Sequence, residues 1–180
     1  MKTKQKIIVV DLEATCWNEE TPQGQEQEII EIGICILDTV DGSISANKGI
    51  LIKPERSEVS PFCTQLTTIT PALLEREGIG FEAACAILRD EFQAHQYTWA
   101  SYGAWDRNMM RSQCNLLDIA YPFSAEHINV KEMFARRKGL KKRTGMNGAL
   151  NILGLPLEGT HHRGVDDALN IARILSWSLG

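Results

Sequence analysis

Four acidic residues and a histidine pair are the candidates for chemistry in this sequence. Asp11 and Glu13 end a short β-branched run, and because side chains alternate along a strand, both project to the same side. Asp106 follows another apolar run and a Gly turn, at the expected start of a helix. His162 and Asp167 lie where a His-rich loop enters the last helical segment. A solvated strand face or a helix start accounts for each acid singly, but not for four carboxylates at the ends of elements together with a His pair.

The elements that must position these residues alternate between strands and helices. Five runs are predicted as strands: Lys6–Leu12, Glu28–Leu37, Lys48–Lys53, Tyr97–Ser101 and His127–Val130. Helices are predicted at a short segment starting with Pro71, at Phe81–Phe92, Trp105–Cys114, Lys131–Lys138, Asn147–Leu153 and Val165–Ser178. Asp41-Gly42 predicts a hairpin, so the second and third strands should be antiparallel neighbours. The pattern indicates an α/β or α+β plan with a mixed sheet.

Length and composition favour one globular domain over residues 1–180. The chain has 180 residues, of which 43% are hydrophobic and 23% charged. No apolar stretch reaches the roughly 20 residues of a membrane span, and the basic start is followed by too few apolar residues for a secretory signal. We therefore expect a soluble, cytoplasmic protein that has no membrane partner. The five cysteines form no C-x-x-C pair, so we expect buried apolar roles for most of them.

The charge is unevenly distributed along the chain. The net charge of -4 alone disfavours a polyanionic partner, but residues 1–90 carry 8 basic and 15 acidic residues and residues 91–180 carry 11 and 8. Seven basic residues and one acid lie between Lys131 and Arg143. Such a cluster can be a solvated helix face or can contact backbone phosphates.

Three segments resemble known exonuclease motifs. They are Asp11-Leu12-Glu13-Ala14-Thr15-Cys16, Ser101-Tyr102-Gly103-Ala104-Trp105-Asp106 and His162-Arg163-Gly164-Val165-Asp166-Asp167-Ala168. In order and spacing they resemble the three motifs of the DEDDh (DnaQ-like) 3′-to-5′ exonucleases, and within them the Eri-type branch. The resemblance covers about Ile7 to Leu175. It implies an RNase H-like α/β fold with a mixed five-stranded sheet flanked by helices.

The resemblance also implies a catalytic set. Asp11, Glu13, Asp106 and Asp167 would surround two divalent cations, with Asp11 bridging both and Asp106 supporting one of them. All-oxygen ligands suit Mg²⁺ or Mn²⁺, and two such ions can clamp the attacking and leaving oxygens of a phosphodiester. His162 would be the general base, because its ordinary pKa of about 6.5 suits that role near neutral pH.

The histidine motif can be placed in two registers. His161 and Asp166 have the same five-residue offset as His162 and Asp167. Both acids lie on a flank of the apolar stripe of the last helix, so helical periodicity does not decide between them. The family pattern, with Ala after the liganding Asp, favours His162 and Asp167.

By the same resemblance, the 3′-terminal nucleotide would contact two segments. Its expected contacts are Leu12, Ala14, Thr15, Leu66 and Thr67. Relatives commonly have Gly at the position of Thr68, where a Cβ could alter the turn. Trp17, Phe62 and Trp105 could stack on bases, although core packing is the expected role of each.

The sequence thus predicts a metal-dependent 3′-to-5′ exonuclease that releases 5′-mononucleotides from single-stranded nucleic acid, with RNA favoured over DNA. Two alternatives stay open at this point. One is an enzyme that trims oligoribonucleotides or proofreads for a polymerase. The other is a nucleic-acid-binding or regulatory module that keeps the fold and has little activity.

Overall fold

A five-stranded mixed sheet is the centre of the fold, and a computed structural model describes it within residues 6–180. The strands are β1 (Lys6–Ala14), β2 (Ile29–Asp38), β3 (Ile44–Leu51), β4 (Trp99–Ser101) and β5 (His127–Asn129). Their order is β3-β2-β1-β4-β5. The pairs β1–β2 and β2–β3 are antiparallel, whereas β1–β4 and β4–β5 are parallel. The predicted mixed sheet and the antiparallel pairing of the second and third strands are confirmed.

Helices cover both faces of this sheet. They are α1 (Pro61–Thr67), α2 (Pro71–Glu77), α3 (Phe81–Asp90), α4 (Trp105–Leu116), α5 (Val130–Lys138), α6 (Met146–Leu153) and α7 (Gly164–Leu179). Within residues 6–180, no helix is both long and apolar enough to cross a membrane.

One predicted strand needs correction, and one helix was missed. The third strand was predicted at Lys48–Lys53 but runs over Ile44–Leu51, because the tight turn after β2 lets pairing resume at Ile44. Helix α1 was not predicted at all. Its signal was present, since the Ser60 side chain accepts a hydrogen bond from Cys63 N and Pro61 occupies the first turn.

The side chains of β1 alternate between the two faces of the sheet, so they contribute to two apolar layers and point both acids to the same face. Ile8, Val10 and Leu12 pack in the layer formed with α3 and α4. Ile7 and Val9 pack in the layer formed with α5, α6 and α7. Asp11 and Glu13 continue this second face, so they point toward the side that carries α7.

The start of α7 lies unusually close to β2. A Cβ atom on Gly33 would overlap the carbonyl of Gly164, and a Cβ on Gly164 would meet Gly33 N at 2.9 Å. The absence of a side chain on both residues lets the helix begin directly against the strand. This contact fixes where the first turn of α7, including Asp167, stands relative to the sheet.

Candidate active site

Three of the predicted acids meet at one point above the sheet. Carboxylate oxygens of Asp11, Glu13 and Asp167 all lie within 4.8 Å of one another. Asp11 and Glu13 come from β1 and Asp167 from the first turn of α7. Glu13 is 9% exposed and Asp167 4% exposed. The structure therefore brings two strand residues and one helix residue into a largely buried acidic cluster.

Asp106 adjoins this cluster from the other side of β1. Strand β4 pairs with β1 at Ile8 and Val9, so the Leu12 N–H further along has no strand partner on that side. Asp106 Oδ1 accepts this N–H at 3.0 Å and thereby satisfies a buried backbone donor. The first turn of α4 thus holds Asp106 beside Asp11, although Asp106 lies outside the group of three.

A buried ion pair holds the loop that precedes Asp167. Glu31 on β2 is fully buried and accepts Arg163 Nε at 3.1 Å and Arg163 Nη2 at 3.2 Å. The Gly164 N–H donates to the same carboxylate at 2.7 Å. Such a two-pronged, charge-assisted contact defines geometry as well as energy. It ties the start of α7 to the strand next to β1.

Asp166 and the two histidines make different contacts in the loop before α7. Asp166 Oδ2 accepts the Thr160 N–H at 2.8 Å, which closes the loop before α7. His161 Nδ1 lies 3.0 Å from Asp167 Oδ2, and the His162 N–H donates to that oxygen at 2.9 Å. The two imidazole rings stack with centroids 3.8 Å apart. Asp167 is therefore the acid in the cluster, and both ring systems lie beside it.

The acidic side chains of the cluster repel one another when they are ionised. Burial raises the pKa of Glu13 to about 9, with Asp167 and Glu31 adding to the shift. Burial, followed by the charges of Asp106 and Glu13, raises the pKa of Asp11 well above its ordinary value. Burial also raises the pKa of Asp167, although hydrogen bonds from the histidines oppose this. Without a cation, the folded protein must therefore hold protons on these acids or accept their repulsion.

The cluster forms the floor of an open cleft of about 340 Å³. Residues from β1, α1, α4, α6 and α7 surround it, together with both histidines. Burial and the neighbouring His161 lower the pKa of His162, so its ring is neutral at pH 7 and can accept a proton. His162 also has a φ of 65°, a conformation that is uncommon outside glycine and tends to occur at functional sites.

Comparison with known proteins assigns the chain to a family. The profile of the Exonuclease (RNase_T) family matches residues 8–175. The chain belongs to the exonuclease family. It is 30% identical over 177 residues to human 3′-5′ exoribonuclease 1, covering 93% of this chain and 50% of that protein. It is 29% identical over 192 residues to the Drosophila melanogaster 3′-5′ exonuclease Snipper, covering 94% of this chain and 67% of that protein.

Solved structures agree with this assignment. The nuclease domain of 3′hExo, a DEDDh family member bound to rAMP, superposes with a TM-score of 0.88 at 28% identity, covering 98% of this chain and 92% of that one. This confirms the predicted family and its RNase H-like fold. This exonuclease chain spans about half the length of the mammalian 3′-5′ exoribonuclease 1 proteins that it matches.

The acidic cluster of this exonuclease chain fits a divalent cation. Its donors are oxygens only, which hard ions prefer, and three of them lie within reach of one ion. Burial, and then the charges of Asp167 and Glu31, raise the pKa of Glu13, so its ionised form lacks sufficient positive charge nearby. A bound cation would provide that positive charge and would return these carboxylates to their ionised form.

The predicted nucleotide contacts divide into two groups. Leu12, Ala14 and Leu66 line the exonuclease cleft. Thr15 and Thr67 do not reach it, because both are fully buried. The Thr15 hydroxyl accepts the Glu28 N–H at 2.9 Å, and the Thr67 hydroxyl donates to the Cys63 carbonyl at 2.8 Å. Their roles in the structure are to hold the segments that carry the lining residues.

Trp105 is the aromatic candidate that the structure brings to the cleft. It lines the wall and remains 45% exposed, so the expected core-packing role was wrong for this residue. Trp17 and Phe62 lie partly buried outside the lining. Thr68 ends α1 with a φ of 62°, which explains on physical grounds why Gly suits this position.

Sequence reasoning missed two groups of residues in and around the cleft. It gave no role to the Glu31–Arg163 pair, although a carboxylate within an otherwise apolar strand was a signal that a buried partner was needed. It also missed Gln27, Tyr102 and Met146, which line the cleft. The Tyr102 hydroxyl donates to the Thr144 carbonyl at 3.0 Å, a contact that no local pattern indicates.

Proposed function

We propose that this chain is a metal-dependent 3′-to-5′ exonuclease that hydrolyses single-stranded nucleic acid, RNA in preference to DNA, and releases 5′-mononucleotides. The observation that carries the proposal is the cluster of Asp11, Glu13 and Asp167 oxygens within 4.8 Å of one another at the floor of an open cleft. The names of relatives support the substrate class, since they include 3′-5′ exoribonuclease 1 and a nuclease domain bound to rAMP. One domain over residues 1–180 and a cytoplasmic location stay predictions.

Four carboxylates would hold two divalent cations, Mg²⁺ or Mn²⁺. Asp11 lies close to Glu13 and Asp167, and Asp106 is its strongest charged neighbour, so Asp11 would be shared by the two cations. Glu13 and Asp167 would hold one ion, and Asp106 would support the second. Bound there, the cations would lower the pKa of a water nucleophile and stabilise the negative charge on the leaving oxygen of the phosphodiester.

His162 would take a proton from the attacking water. Its ring is neutral at pH 7 because burial and His161 lower its pKa, and a general base must be unprotonated before the reaction. His161 stacks on it and contacts Asp167, which restricts the motion of both rings. The assignment of His162 rather than His161 as the base follows the family motif.

The apolar walls of the cleft would receive the terminal nucleoside. Leu12, Ala14 and Leu66 line one part of the cleft and Trp105 another. A half-exposed indole can stack on a base, which contributes roughly 1–3 kcal/mol per base in other single-strand-binding proteins. Stacking is tolerant of sequence, so it fits an enzyme that must accept each new 3′ end.

Basic residues next to the cleft are placed to contact the strand backbone. Lys131, Lys141, Lys142 and Arg143 line an open cavity of about 700 Å³ together with Gly103 and Ala104, just before Trp105. Charge reversal of Lys141, Lys142 and Arg143 should weaken binding and flatten its dependence on salt. Unchanged binding would assign these residues to solubility alone.

The proposal is tested by incubating matched single strands of RNA and DNA, 5′-labelled, with Mg²⁺ or Mn²⁺. We expect stepwise shortening from the 3′ end, faster for RNA, and loss of shortening in Asp167→Asn. The same strands with a 3′-phosphate in place of the 3′-hydroxyl test whether a free 3′-hydroxyl is required. Binding without shortening by either ion would instead favour a nucleic-acid-binding module with little activity.

A further inference from the structure

A second polar cavity lies behind the first turn of α4, outside the cleft. Its volume is about 500 Å³, within the range of small-molecule sites. Arg107, His127, Asn129 and Arg136 contribute most of its polar groups. They come from three different elements: α4, the edge strand β5 and α5. The cavity is therefore built by the tertiary fold and not by one run of charged residues.

The two arginines of this cavity have no acidic partner among the described residues. Across residues 6–180, no carboxylate oxygen lies within 4.0 Å of a side-chain nitrogen of Arg107 or Arg136. The Arg107 Nε is buried and makes no hydrogen bond with another described residue. Glu132 also lines the wall, but its carboxylate accepts Arg143 Nη1 at 2.8 Å. The cavity is therefore lined by two guanidinium charges that no described carboxylate pairs, and one of these side chains also has a buried N–H without an acceptor among the described residues.

The uncharged groups of the wall can add hydrogen bonds. Burial lowers the pKa of His127 to about 4, so its ring is neutral at pH 7. Its Nε2 lies 2.9 Å from the Ser101 hydroxyl, which leaves the other ring nitrogen for a further contact. The Asn129 side chain accepts the Glu132 N–H at 3.2 Å and keeps its amide donors.

This cavity is continuous with the surfaces already described. Ala104, Asn129 and Glu132 line both it and the basic cavity of Lys131 and Lys141. Arg107 directly follows Asp106, and successive helix residues differ by about 100° in direction. Asp106 faces the cleft and Arg107 faces the cavity, so the same turn of α4 forms a wall of both.

We propose that this cavity binds a backbone phosphate of the substrate strand, upstream of the 3′-terminal nucleotide. The inference rests on the proposed exonuclease function and adds a second point of attachment to it. Guanidinium groups match phosphate oxygens in planar, two-pronged geometry, and Arg107 and Arg136, which pair with no acid in the described part of the chain, supply two such groups here. A strand held at the cleft and at this cavity is fixed in direction before hydrolysis.

The test compares substrates that do and do not extend upstream. A dinucleotide has only the scissile phosphodiester, whereas a ten-nucleotide single strand also carries upstream phosphates. In Arg107→Gln and in Arg136→Gln, we expect the ratio of KM for the ten-mer to KM for the dinucleotide to rise about fivefold. The slope of log affinity against log salt should fall by about 0.7 for each lost contact. Arg107→Lys should restore charge but only part of the affinity.

Arg76→Gln is the matched control, because Arg76 lies on α2, pairs with Glu77 and is outside the cavity. It removes the same charge and should leave the ratio unchanged. An unchanged ratio in both cavity variants, or equal losses on the two substrates, would overturn the inference. If the wild type shortens neither substrate, the proposed function fails. Fluorescence anisotropy of a labelled ten-mer then tests the cavity separately, with the same fivefold weakening expected.

Discussion

Two buried glutamates side by side should respond in opposite ways to the same substitution. Glu13 and Glu31 are cross-strand partners on β1 and β2. Glu31 accepts three N–H groups from Arg163 and Gly164. The principal charged neighbours of Glu13 are instead acids, and its pKa rises to about 9. In the absence of metal, Glu13→Gln should stabilise the fold, whereas Glu31→Gln should destabilise it.

The expected gain for Glu13→Gln follows from proton linkage. Between its ordinary pKa of 4.5 and about 9, the folded state binds a proton that the unfolded state releases. The free energy of unfolding therefore falls as pH rises through that window. At pH 7.5 the loss is on the order of 4 kcal/mol. Because the amide must still find hydrogen-bond partners, we expect a net gain of about 2 kcal/mol, or roughly 4–8 °C in Tm.

The assay is thermal unfolding in EDTA from pH 5 to pH 8, with wild type, Glu13→Gln and Glu31→Gln. The advantage of Glu13→Gln should grow with pH, and Glu31→Gln should lose about 2–3 kcal/mol through its missing charge-assisted bonds. Added Mg²⁺ should raise the Tm of the wild type, because a cation that binds only the folded state stabilises it, and should raise the Tm of Glu13→Gln by less. A lower metal-free Tm for Glu13→Gln, or a higher one for Glu31→Gln, would refute the reasoning.

Three further substitutions test separate parts of the site. Asp167→Asn should lower kcat by at least about 100-fold, whereas Asp166→Asn should retain activity within about tenfold, as measured by release of mononucleotides. Thr68→Gly should raise the free energy of unfolding by about 1 kcal/mol in urea titrations, because it relieves a left-handed backbone. Gly33→Ala should displace the first turn of α7 through overlap with Gly164 and lower kcat more than KM is raised.

Each of these has a contradicting outcome. Activity retained in Asp167→Asn but lost in Asp166→Asn would show that the other histidine register is the working one. A less stable Thr68→Gly would mean that the threonine side chain contributes more than its backbone strain costs. Gly80→Ala is the control for Gly33→Ala, since a Cβ at Gly80 meets open space. An equal fall in kcat for Gly33→Ala and Gly80→Ala would show that the loss of activity does not come from the contact between Gly33 and α7.

Much of this fold could be predicted from local patterns, because its chemistry-bearing residues stand at the ends of regular elements. Alternation in β1 was sufficient to place Asp11 and Glu13 on one side, and the Asp41-Gly42 signal was sufficient to pair β2 with β3. The position of Asp167 depends instead on contacts across the chain, from Glu31 to Arg163 and from Gly33 to Gly164. Hydrophobic periodicity contains no information on such pairs.

The predicted substrate contacts show the same limit of local sequence patterns. Leu66 and Thr67 are adjacent in sequence, yet Leu66 lines the cleft and Thr67 is fully buried outside its lining. A helix turns by about 100° per residue, so neighbouring residues face different surroundings. The segment was a match to the family, but helix α1 itself was not predicted. Without that helix, the sequence could not separate the lining residue from the supporting one.

The most direct test of the central claim is the first product released from a single-stranded RNA that carries a label at its 3′-terminal nucleotide. With Mg²⁺ or Mn²⁺, the account predicts immediate release of a labelled 5′-mononucleotide while the rest of the strand is still nearly full length. Loss of release in Asp167→Asn would locate that chemistry at the cluster. Internal fragments as the first labelled products, or release that persists in EDTA, would contradict it.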